Sequence, residues 1–575
     1  MRPYRLASLA LLLAPAALAQ APLPLKHSPQ RTVPAITAGD LMTRLYILTD
    51  DSLEGREAGT IGNFKGTEYI AREAKRMGLV PAGDSGTYFQ TIPLKTRTFD
   101  TTSTFAVGGA ALAPFADYLP LTREAFDNPA TSIVYGGEVL DTAHLIAPEQ
   151  ASAKLVVLTV TGGFASFASP RGIIRLRALR AAPRIRGAAA LALVALDSLP
   201  PPVLGFLRRP QAFLDDTPPG QERPVPMLLI GRAATTKMFG GPLEQLAVGA
   251  PGTTAALSVR YVVEPVSYPA RNVVAILPGR DPKLRVEYVA IGAHNDHIGF
   301  NHAPVDHDSI RIWNHIVRPE GADDAAKRAT PELQARVDSA LAAFRARHAA
   351  GATADRPDSI SNGADDDGSG SVAALEIAER IAALKQKPKR SILFVWHTAE
   401  EKGLLGSRYF TDHPTVPRDS IVAQLNMDMV GRGSADDETG RTKDSVPLHG
   451  GPHYLQLVGS RRLSTELGDL IETVNKDGRH GLAFDYAMDA DGHPSNIYCR
   501  SDHYEYARYG IPITFFTTGL HSDYHQVTDE PEYIDYAHMA RVASLVEDVA
   551  VRVADLDHRV VVDHPRPDPT APCRQ

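Results

Sequence analysis

Five side chains of the types that bind divalent metals occur in short polar motifs along the chain. They are His294 in GAHNDH, Asp366 in NGADDDGSG, Glu401 in HTAEEKG, Asp428 in LNMDMVG and His525 in SDYHQVTD. Two imidazoles and three carboxylates are enough to hold two ions if one carboxylate bridges them. Nitrogen and oxygen donors together favour zinc, with cobalt or manganese as alternatives. The set predicts a hydrolase that uses two metal ions.

Two more carboxylates stand beside these candidate ligands. Glu400 precedes Glu401 and is free to act as a general base that takes a proton from a metal-activated water. Asp296 lies two residues after His294, and we expect it to accept the second ring N–H of that ligand. Taken alone, the Glu400–Glu401 pair also fits a helix start, where acidic residues are favoured by the helix dipole.

The elements after residue 270 must bring these motifs together. Near-continuous apolar runs alternate there with helical patterns, which predicts an α/β fold with a mostly parallel central sheet and helices on both faces. The predicted strands are NVVAIL, VEYVAIGA, SILFVWH, IVAQLNM and IPITFFT, and the predicted helices are Ser371–Leu384, Leu404–Phe410 and Ala537–Ala550. Chemistry in such sheets collects at the carboxyl ends of strands. The motifs of His294, Glu401 and Asp428 follow strands and are therefore expected at one edge.

Two segments interrupt this pattern. Residues 105–265 carry short β-like runs separated by Pro and Gly, with a short helix around Ile173–Ala182, and predict an inserted β-rich domain. Residues 301–360 form a second, charged insertion with a predicted helix over Pro331–His348. Its GADDA motif at Gly321–Ala325 imitates GADDD but lacks the following GSGS. We interpret GADDA as an exposed charged loop and expect Asp366 to be the ligand.

Length and composition restrict the class of protein. A chain of 575 residues predicts two or three domains. The formal net charge of −7 does not favour nucleic acid as a partner. The one basic cluster, Arg171–Arg186, alternates with apolar residues and is typical of a solvated helix face. Cys499 and Cys573 are the only cysteines and allow at most one intramolecular disulfide.

The first 19 residues have a short basic start, an apolar run and a small-residue site, which predicts a signal peptide cleaved near Ala19/Gln20. The alternative, a membrane anchor, requires a longer apolar run. We therefore expect a secreted or periplasmic protein with no stable membrane insertion after signal removal. Other hydrolase classes lack their motifs here, since the sequence has neither GxSxG nor HExxH.

At this point the motifs resemble a known family. GAHNDHIG, NGADDDGSG, HTAEEKGLLGS, NMDMVGR, RSDHYEYARYGIP and DYHQVTDE are similar to motifs of the di-zinc aminopeptidase and glutamate-carboxypeptidase-like metallopeptidases. The resemblance covers roughly residues 40–100 and 270–550, and residues 105–265 resemble the protease-associated domain often inserted in such enzymes. It implies a discontinuous catalytic domain over 20–104 and 266–560, followed by a tail of 561–575 that we expect to be disordered.

The resemblance also implies roles for individual residues. Asp366 would bridge two zinc ions, with His294 and Asp428 completing one ion and Glu401 and His525 the other. Glu400 would be the general base. Tyr498 resembles a tyrosine that stabilises the oxyanion in some members, although Tyr504 and Tyr506 are nearby competitors.

The expected activity is that of a zinc-dependent exopeptidase acting on peptides, and most simply of an aminopeptidase. A carboxypeptidase or dipeptidase on the same fold is the first alternative. A non-catalytic binding protein on a peptidase scaffold is the second, and the intact ligand set argues against it. Glutaminyl cyclase chemistry uses one metal on this scaffold, which the full two-metal set disfavours. The sequence does not fix the number of subunits.

Overall fold

The computed structural model describes residues 23–575, apart from residues 123, 140, 142, 168–175, 177–178, 180–181, 217–224, 325–328, 349–355, 433–443, 445–450 and 452. The predicted signal peptide lies outside the described residues. So do most of the basic cluster and most of the helix predicted around residues 173–182. Within the described part of the chain, no helix is both long enough and apolar enough to cross a bilayer.

The helices, in chain order, are α1 (Ala38–Leu48), α2 (Ile61–Arg76), α3 (Pro148–Ala151), α4 (Pro201–Arg208), α5 (Arg232–Phe239), α6 (His307–Val317), α7 (Pro331–His348), α8 (Gly370–Ala383), α9 (Leu405–Asp412), α10 (Thr465–Asp477), α11 (His503–Ala507) and α12 (Tyr536–Ala554). The three helices predicted after residue 270 correspond to α8, α9 and α12, with ends shifted by one to four residues.

The strands fall into three stretches of the chain. The first holds β1 (Val80–Pro81), β2 (Phe89–Thr91) and β3 (Leu94–Phe99). The second holds β4 (Thr104–Val107), β5 (Ala110–Ala111), β6 (Tyr118–Pro120), β7 (Phe126–Glu138), β8 (Leu155–Thr159), β9 (Ala190–Val194), β10 (Gln211–Leu214), β11 (Met227–Ile230), β12 (Pro251–Val259) and β13 (Tyr261–Pro265). The third holds β14 (Arg271–Leu277), β15 (Tyr288–His294), β16 (Gly299–Asp306), β17 (Pro357–Ser361), β18 (Ser391–His397), β19 (Ile421–Met427), β20 (Tyr454–Val458), β21 (Ala483–Asp485) and β22 (Ile513–Thr517).

The central sheet is nine-stranded, in the order β1–β14–β18–β15–β19–β22–β20–β21, with β2 also paired to β14. Strands β18, β15, β19 and β22 are parallel, whereas β14 and β20 run antiparallel to the edges of this central group. The predicted α/β class is confirmed. Parallel pairing is concentrated at the centre of the sheet, so the sheet is more mixed than predicted.

Helices cover both faces of this sheet, which is why its central strands are apolar along their whole length. In β18, Phe394 points into the cluster formed with α1, α2, α8 and α12. Its neighbour Val395 points to the opposite side and packs with Phe410 of α9 and Tyr506 of α11. Burying side chains of this size contributes roughly 1.5–3 kcal/mol each relative to leaving them exposed. The two layers therefore hold the strand ends, and the motifs on them, in fixed positions.

The β-rich region forms a sheet of its own. It is eight-stranded, in the order β5–β4–β12–β7–β8–β9–β11–β6, and apolar clusters pack on both of its faces. A three-stranded sheet, β10–β3–β13, adjoins it in the chain. Strand β9 is not among the predicted strands, and its short apolar run is fully buried between β8 and β11. The assignment of residues 105–265 to a protease-associated domain stays a prediction.

The second insertion is closed by an antiparallel pairing of β16 with β17 and contains α6 and α7. Helix α7 spans Pro331–His348, the range that the sequence predicts. Between the helices lies the turn Gly321–Asp323, which belongs to the GADDA motif. Our interpretation of this motif as an exposed charged loop holds for Ala322 and Asp323, whereas Gly321 is buried. The side chain of Asp323 is 28% exposed and forms an ion pair.

The prediction of a disordered C-terminal tail is wrong for the last residues of the chain. A disulfide joins Cys499 to Cys573, with their Cα atoms 5.8 Å apart. The Gln575 side chain accepts a hydrogen bond from the backbone N–H of Tyr498 at 2.9 Å, and its amide donates to the carbonyl of Ala490 at 3.1 Å. The tail is therefore fixed beside the segment that precedes the RSDH motif.

Candidate metal centre

The five expected ligands lie together at the carboxyl edge of the central sheet. His294 is the last residue of β15, Glu401 lies four residues after β18, and Asp428 directly follows β19. Asp366 comes from the distorted turn before α8, and His525 from the loop after β22. Their donor atoms form two groups that share Asp366, and within each group all donor atoms lie within 4.8 Å of one another.

The first group consists of His294, Asp366 and Asp428, all buried. Nε2 of His294 lies 3.1 Å from Oδ1 of Asp366 and 3.6 Å from Oδ1 of Asp428. The hydroxyl of Ser501 donates a hydrogen bond to Oδ2 of Asp428 at 2.6 Å, which fixes the orientation of that carboxylate. Three donors of this kind form the minimum protein ligand set of an open zinc site.

The second group uses the other oxygen of Asp366. Nε2 of His525 lies 3.0 Å from Oδ2 of Asp366 and 2.9 Å from Oε2 of Glu401. The two oxygens of Asp366 thus face different histidines, which is the arrangement that a bridging carboxylate needs. The structure brings together all five residues that the sequence nominated.

A sixth residue, His297, joins the second group and was missed in the sequence analysis. It is fully buried, and its Nδ1 lies 2.8 Å from Oε1 of Glu401 and 3.7 Å from Oδ2 of Asp366. The available signal was the second histidine of GAHNDH, three residues after His294. We name the six residues the ligand cluster: His294, His297, Asp366, Glu401, Asp428 and His525.

The ligand cluster contains buried polar atoms that the protein leaves unsatisfied. Within the described part of the chain, Oδ2 of Asp366, Oε1 of Glu401 and both ring nitrogens of His297 have no hydrogen-bond partner. Their contacts are close, but they lack hydrogen-bond geometry. Leaving a buried polar atom unpaired costs about 1–3 kcal/mol, and more when it is charged. Divalent cations would satisfy these atoms, so the residues fit a two-ion centre of the zinc type.

Glu400 and Asp296 lie beside the cluster, outside both groups. Oε2 of Glu400 is 4.0 Å from Nε2 of His294, and burial raises the pKa of Glu400 well above its ordinary value. Burial also raises the pKa of Asp296 to about 7. Oδ1 of Asp296 accepts the backbone N–H of Glu400 at 3.1 Å. The backbone carbonyl of Asp296, rather than its carboxylate, lies within hydrogen-bond distance of Nδ1 of His294, at 3.1 Å.

A buried arginine ties together the two loops that carry ligands. Arg56 is 1% exposed, and its guanidinium donates to the carbonyls of Asn295 (3.3 Å), Asn362 (2.6 Å) and Gly363 (2.9 Å). A fourth bond reaches the carbonyl of Leu48 at 3.0 Å. All four acceptors are neutral carbonyls, so none of these hydrogen bonds neutralises the charge of Arg56. Arg56 therefore holds the GAHNDH and NGADDDGSG loops side by side.

The turn that presents Asp366 is held by hydrogen bonds to its backbone N–H groups and by a close approach at Gly363. The carboxylate of Asp529 accepts the backbone N–H of Asp365 and of Asp366, each at about 3 Å. Gly363 has φ +56°, and a Cβ there would lie 2.3 Å from the carbonyl oxygen of Asp366 and 2.5 Å from the His297 ring. Only glycine fits this approach. Gly363, the first glycine of the NGADDDGSG motif, is thus required by this close approach, which the sequence did not reveal.

Of the two candidate tyrosines, only one lines the cleft over the ligand cluster in the described part of the chain. The lining of the cleft includes Glu400, Asp428, His525 and Tyr524, whose ring stacks on His525 with centroids 4.0 Å apart. The expected oxyanion residue, Tyr498, is not among the lining residues in the described part of the chain. It is buried against Arg462, whose guanidinium carbon lies 4.7 Å from the ring centroid. The geometry therefore places Tyr524, and not Tyr498, beside the ligand cluster.

Comparison with known proteins gives a family for this part of the molecule. Residues 348–550 match the family model described as peptidase family M28. The matched M28 residues hold four of the six members of the ligand cluster, together with Glu400, while His294 and His297 precede them.

Individual relatives are similar to the chain over limited stretches or at low sequence identity. The chain is 29% identical over 192 residues to leucine aminopeptidase 1 of Paracoccidioides brasiliensis strain Pb03, which covers 32% of this chain and 44% of that protein. It is 40% identical over 77 residues to leupeptin-inactivating enzyme 1 of Streptomyces exfoliatus, covering 13% and 18% respectively. The alignments thus span less than half the length of these curated relatives. An aminopeptidase from Aneurinibacillus sp. strain AM-1 covers 92% of this chain and 97% of its own, at 17% identity and a TM-score of 0.46.

Proposed function

We propose that this chain is a zinc-dependent aminopeptidase that removes N-terminal residues from peptides. The observation that carries the proposal is a ligand cluster for two ions with a separate carboxylate, Glu400, on the same cleft. The M28 match and the similarity to leucine aminopeptidases support a peptidase of this kind.

We assign one zinc ion to His294, Asp366 and Asp428, and the second to Asp366, Glu401 and His525. His297 belongs to the second group and lies beside Glu401. Zinc bound here would supply a Lewis acid for the scissile carbonyl and lower the pKa of a water molecule. Burial and the charge of Asp366 would raise the pKa of Glu401, but contacts with His525 and His297 lower it to about 2. Glu401 is therefore ionised, as a metal ligand must be.

Glu400 is assigned the proton transfers. Its carboxyl group is 11% exposed at the floor of the cleft, 4.0 Å from His294. Desolvation makes it a stronger base than an ordinary glutamate, which suits it to accept the proton of the attacking water and deliver it to the leaving amine. Its backbone N–H bonds to Asp296, so the carboxylate of Asp296 fixes the turn that presents Glu400.

We assign to Tyr524 the stabilisation of the scissile carbonyl oxygen by a hydrogen bond from its hydroxyl group. The Nη2 of Arg500 donates to the Tyr524 hydroxyl oxygen at 3.4 Å, which leaves the hydroxyl proton free to point into the cleft. A donor aimed at the charge that develops on a carbonyl oxygen is worth more in a water-poor site than in solvent.

The cleft favours removal of a single residue from the amino end. Its apolar walls include Met429, Ile497 and Phe515. Arg500 lines the cleft, and its guanidinium is the kind of group that binds the substrate's C-terminal carboxylate in a carboxypeptidase. Asp323 already pairs with that guanidinium through both of its oxygens, at 2.5 and 2.8 Å. This pairing favours the aminopeptidase over the carboxypeptidase.

The test is hydrolysis of leucyl-p-nitroanilide and of unblocked peptides, compared with N-acetylated peptides, before and after zinc removal by chelation and after zinc is restored. We expect activity only on free amino termini, lost with the metal and regained with zinc. Release of C-terminal residues from N-acetylated peptides would overturn the aminopeptidase assignment. The apolar N-terminal run and the disulfide further support an exported enzyme.

A further inference from the structure

The second insertion contacts the loop that carries His525. Along α6, Nε of Arg311 lies 3.4 Å from Asp523, and Nδ1 of His315 lies 3.0 Å from the hydroxyl of Ser522. Helix α6 thus covers the chain on the amino-terminal side of His525. These polar contacts connect the second insertion to the loop that carries His525, a member of the ligand cluster.

The turn after α6 approaches this loop more closely still. The backbone N–H of Ala322 donates to the carbonyl of Tyr524 at 3.1 Å. Gly321 has φ +57°, and a Cβ there would lie 2.6 Å from that carbonyl oxygen and 2.8 Å from the carbonyl oxygen of His521. The turn therefore touches the backbone of Tyr524 directly, and only glycine permits the contact.

Asp323, at the end of this turn, forms a two-oxygen ion pair with Arg500. The distances are 2.5 Å to Nη1 and 2.8 Å to Nη2, and each side chain is less than a third exposed. The same Nη2 donates to the Tyr524 hydroxyl at 3.4 Å. Pairs with two parallel hydrogen bonds fix the plane of the guanidinium, which a single contact does not.

We propose that Asp323 is a positioning residue of the cleft: by fixing Arg500, it holds the hydroxyl of Tyr524 in the orientation used on the substrate. The inference rests on the proposed function, and Asp323 itself touches neither the substrate nor the ligand cluster. Through Asp323, the second insertion would contribute to turnover. Arg500 accounts for one acceptor site of the Tyr524 oxygen, so the phenolic proton is directed away from Arg500.

The test is a double-mutant cycle on leucyl-p-nitroanilide with Asp323→Asn, Arg500→Gln and the double variant. For Asp323→Asn we expect kcat to fall roughly tenfold while KM changes less than about twofold, because positioning of a reacting group is lost and substrate binding is retained. The double variant should lose no more than Arg500→Gln alone, to within about twofold, because the two residues act as one unit. Asp323→Glu should recover most of the lost kcat.

The control is Asp338→Asn, the same substitution on an exposed position of α7 in the same insertion, which should leave kcat and KM unchanged. Hydrogen–deuterium exchange of the substrate-free protein gives a readout that does not depend on activity. Asp323→Asn, and not Asp338→Asn, should speed exchange in peptides covering residues 498–504 and 521–527. Independent, multiplying losses in the cycle, or a raised KM with unchanged kcat, would overturn the proposal. An inactive wild-type protein would instead overturn the proposed function, and the exchange result would still decide whether Asp323 holds this loop.

Discussion

Removing the disulfide should destabilise the protein by an amount that follows from the position of the two cysteines in the sequence. Cys499 and Cys573 are 74 residues apart in sequence. Closing a loop of that length removes conformational entropy from the unfolded chain worth about 4 kcal/mol at 25 °C. We therefore expect Cys499→Ser/Cys573→Ser to lower the free energy of unfolding by about this amount. Neither sulfur lines the cleft, so kcat should change little below the unfolding temperature.

Urea denaturation followed by tryptophan fluorescence measures this directly. Trp396, in β18, is fully buried and reports on the central sheet. With a denaturant slope of about 3 kcal/mol per M, the midpoint should fall by about 1.3 M in the double-serine variant. Reductant should shift the wild-type midpoint by the same amount and leave the double-serine variant unaffected. Equal midpoints for the two proteins without reductant would refute the reasoning, because the bond would then place no constraint on the unfolded chain.

Two further predictions concern the cleft and its support. Arg56→Met removes three hydrogen bonds to the ligand loops and one to Leu48, so the unfolding free energy should fall on the order of 3–5 kcal/mol and bound zinc should decrease. Arg72→Met, on the exposed face of α2, should change neither quantity. An unchanged urea midpoint for Arg56→Met would contradict its role. Tyr524→Phe should lower kcat on the order of a hundredfold with zinc content intact, and Tyr498→Phe should stay near the wild-type rate. The opposite ranking would restore Tyr498 to the oxyanion role.

The strands that the sequence predicted most accurately are the long, continuously apolar runs. The runs SILFVWH and IVAQLNM are apolar throughout because both faces of the central sheet are covered, and their bounds match β18 and β19. The antiparallel flanks could not be predicted, since strand direction depends on pairing and not on residue type. The run that became β9 is too short to be distinguished from a buried helix segment by its apolar residues alone.

The same division applies to the site. The five nominated ligands follow strands or begin a helix, where backbone direction alone brings them together. His297 was missed because its contact with Glu401 depends on how the GAHNDH turn bends around Arg56. The tyrosine near the ligand cluster depends on which ring stacks on His525, a tertiary contact that sequence spacing does not encode. The order of the tail followed from a disulfide that the sequence permitted without requiring.

The central claim is that Glu401 binds metal while its neighbour Glu400 carries the proton. The direct test measures zinc stoichiometry and kcat on leucyl-p-nitroanilide for Glu400→Gln and Glu401→Gln side by side. The structure predicts that Glu400→Gln keeps two zinc ions per chain and loses at least a hundredfold in kcat, whereas Glu401→Gln loses zinc. Loss of zinc in Glu400→Gln, or substantial turnover by that variant, would contradict the account.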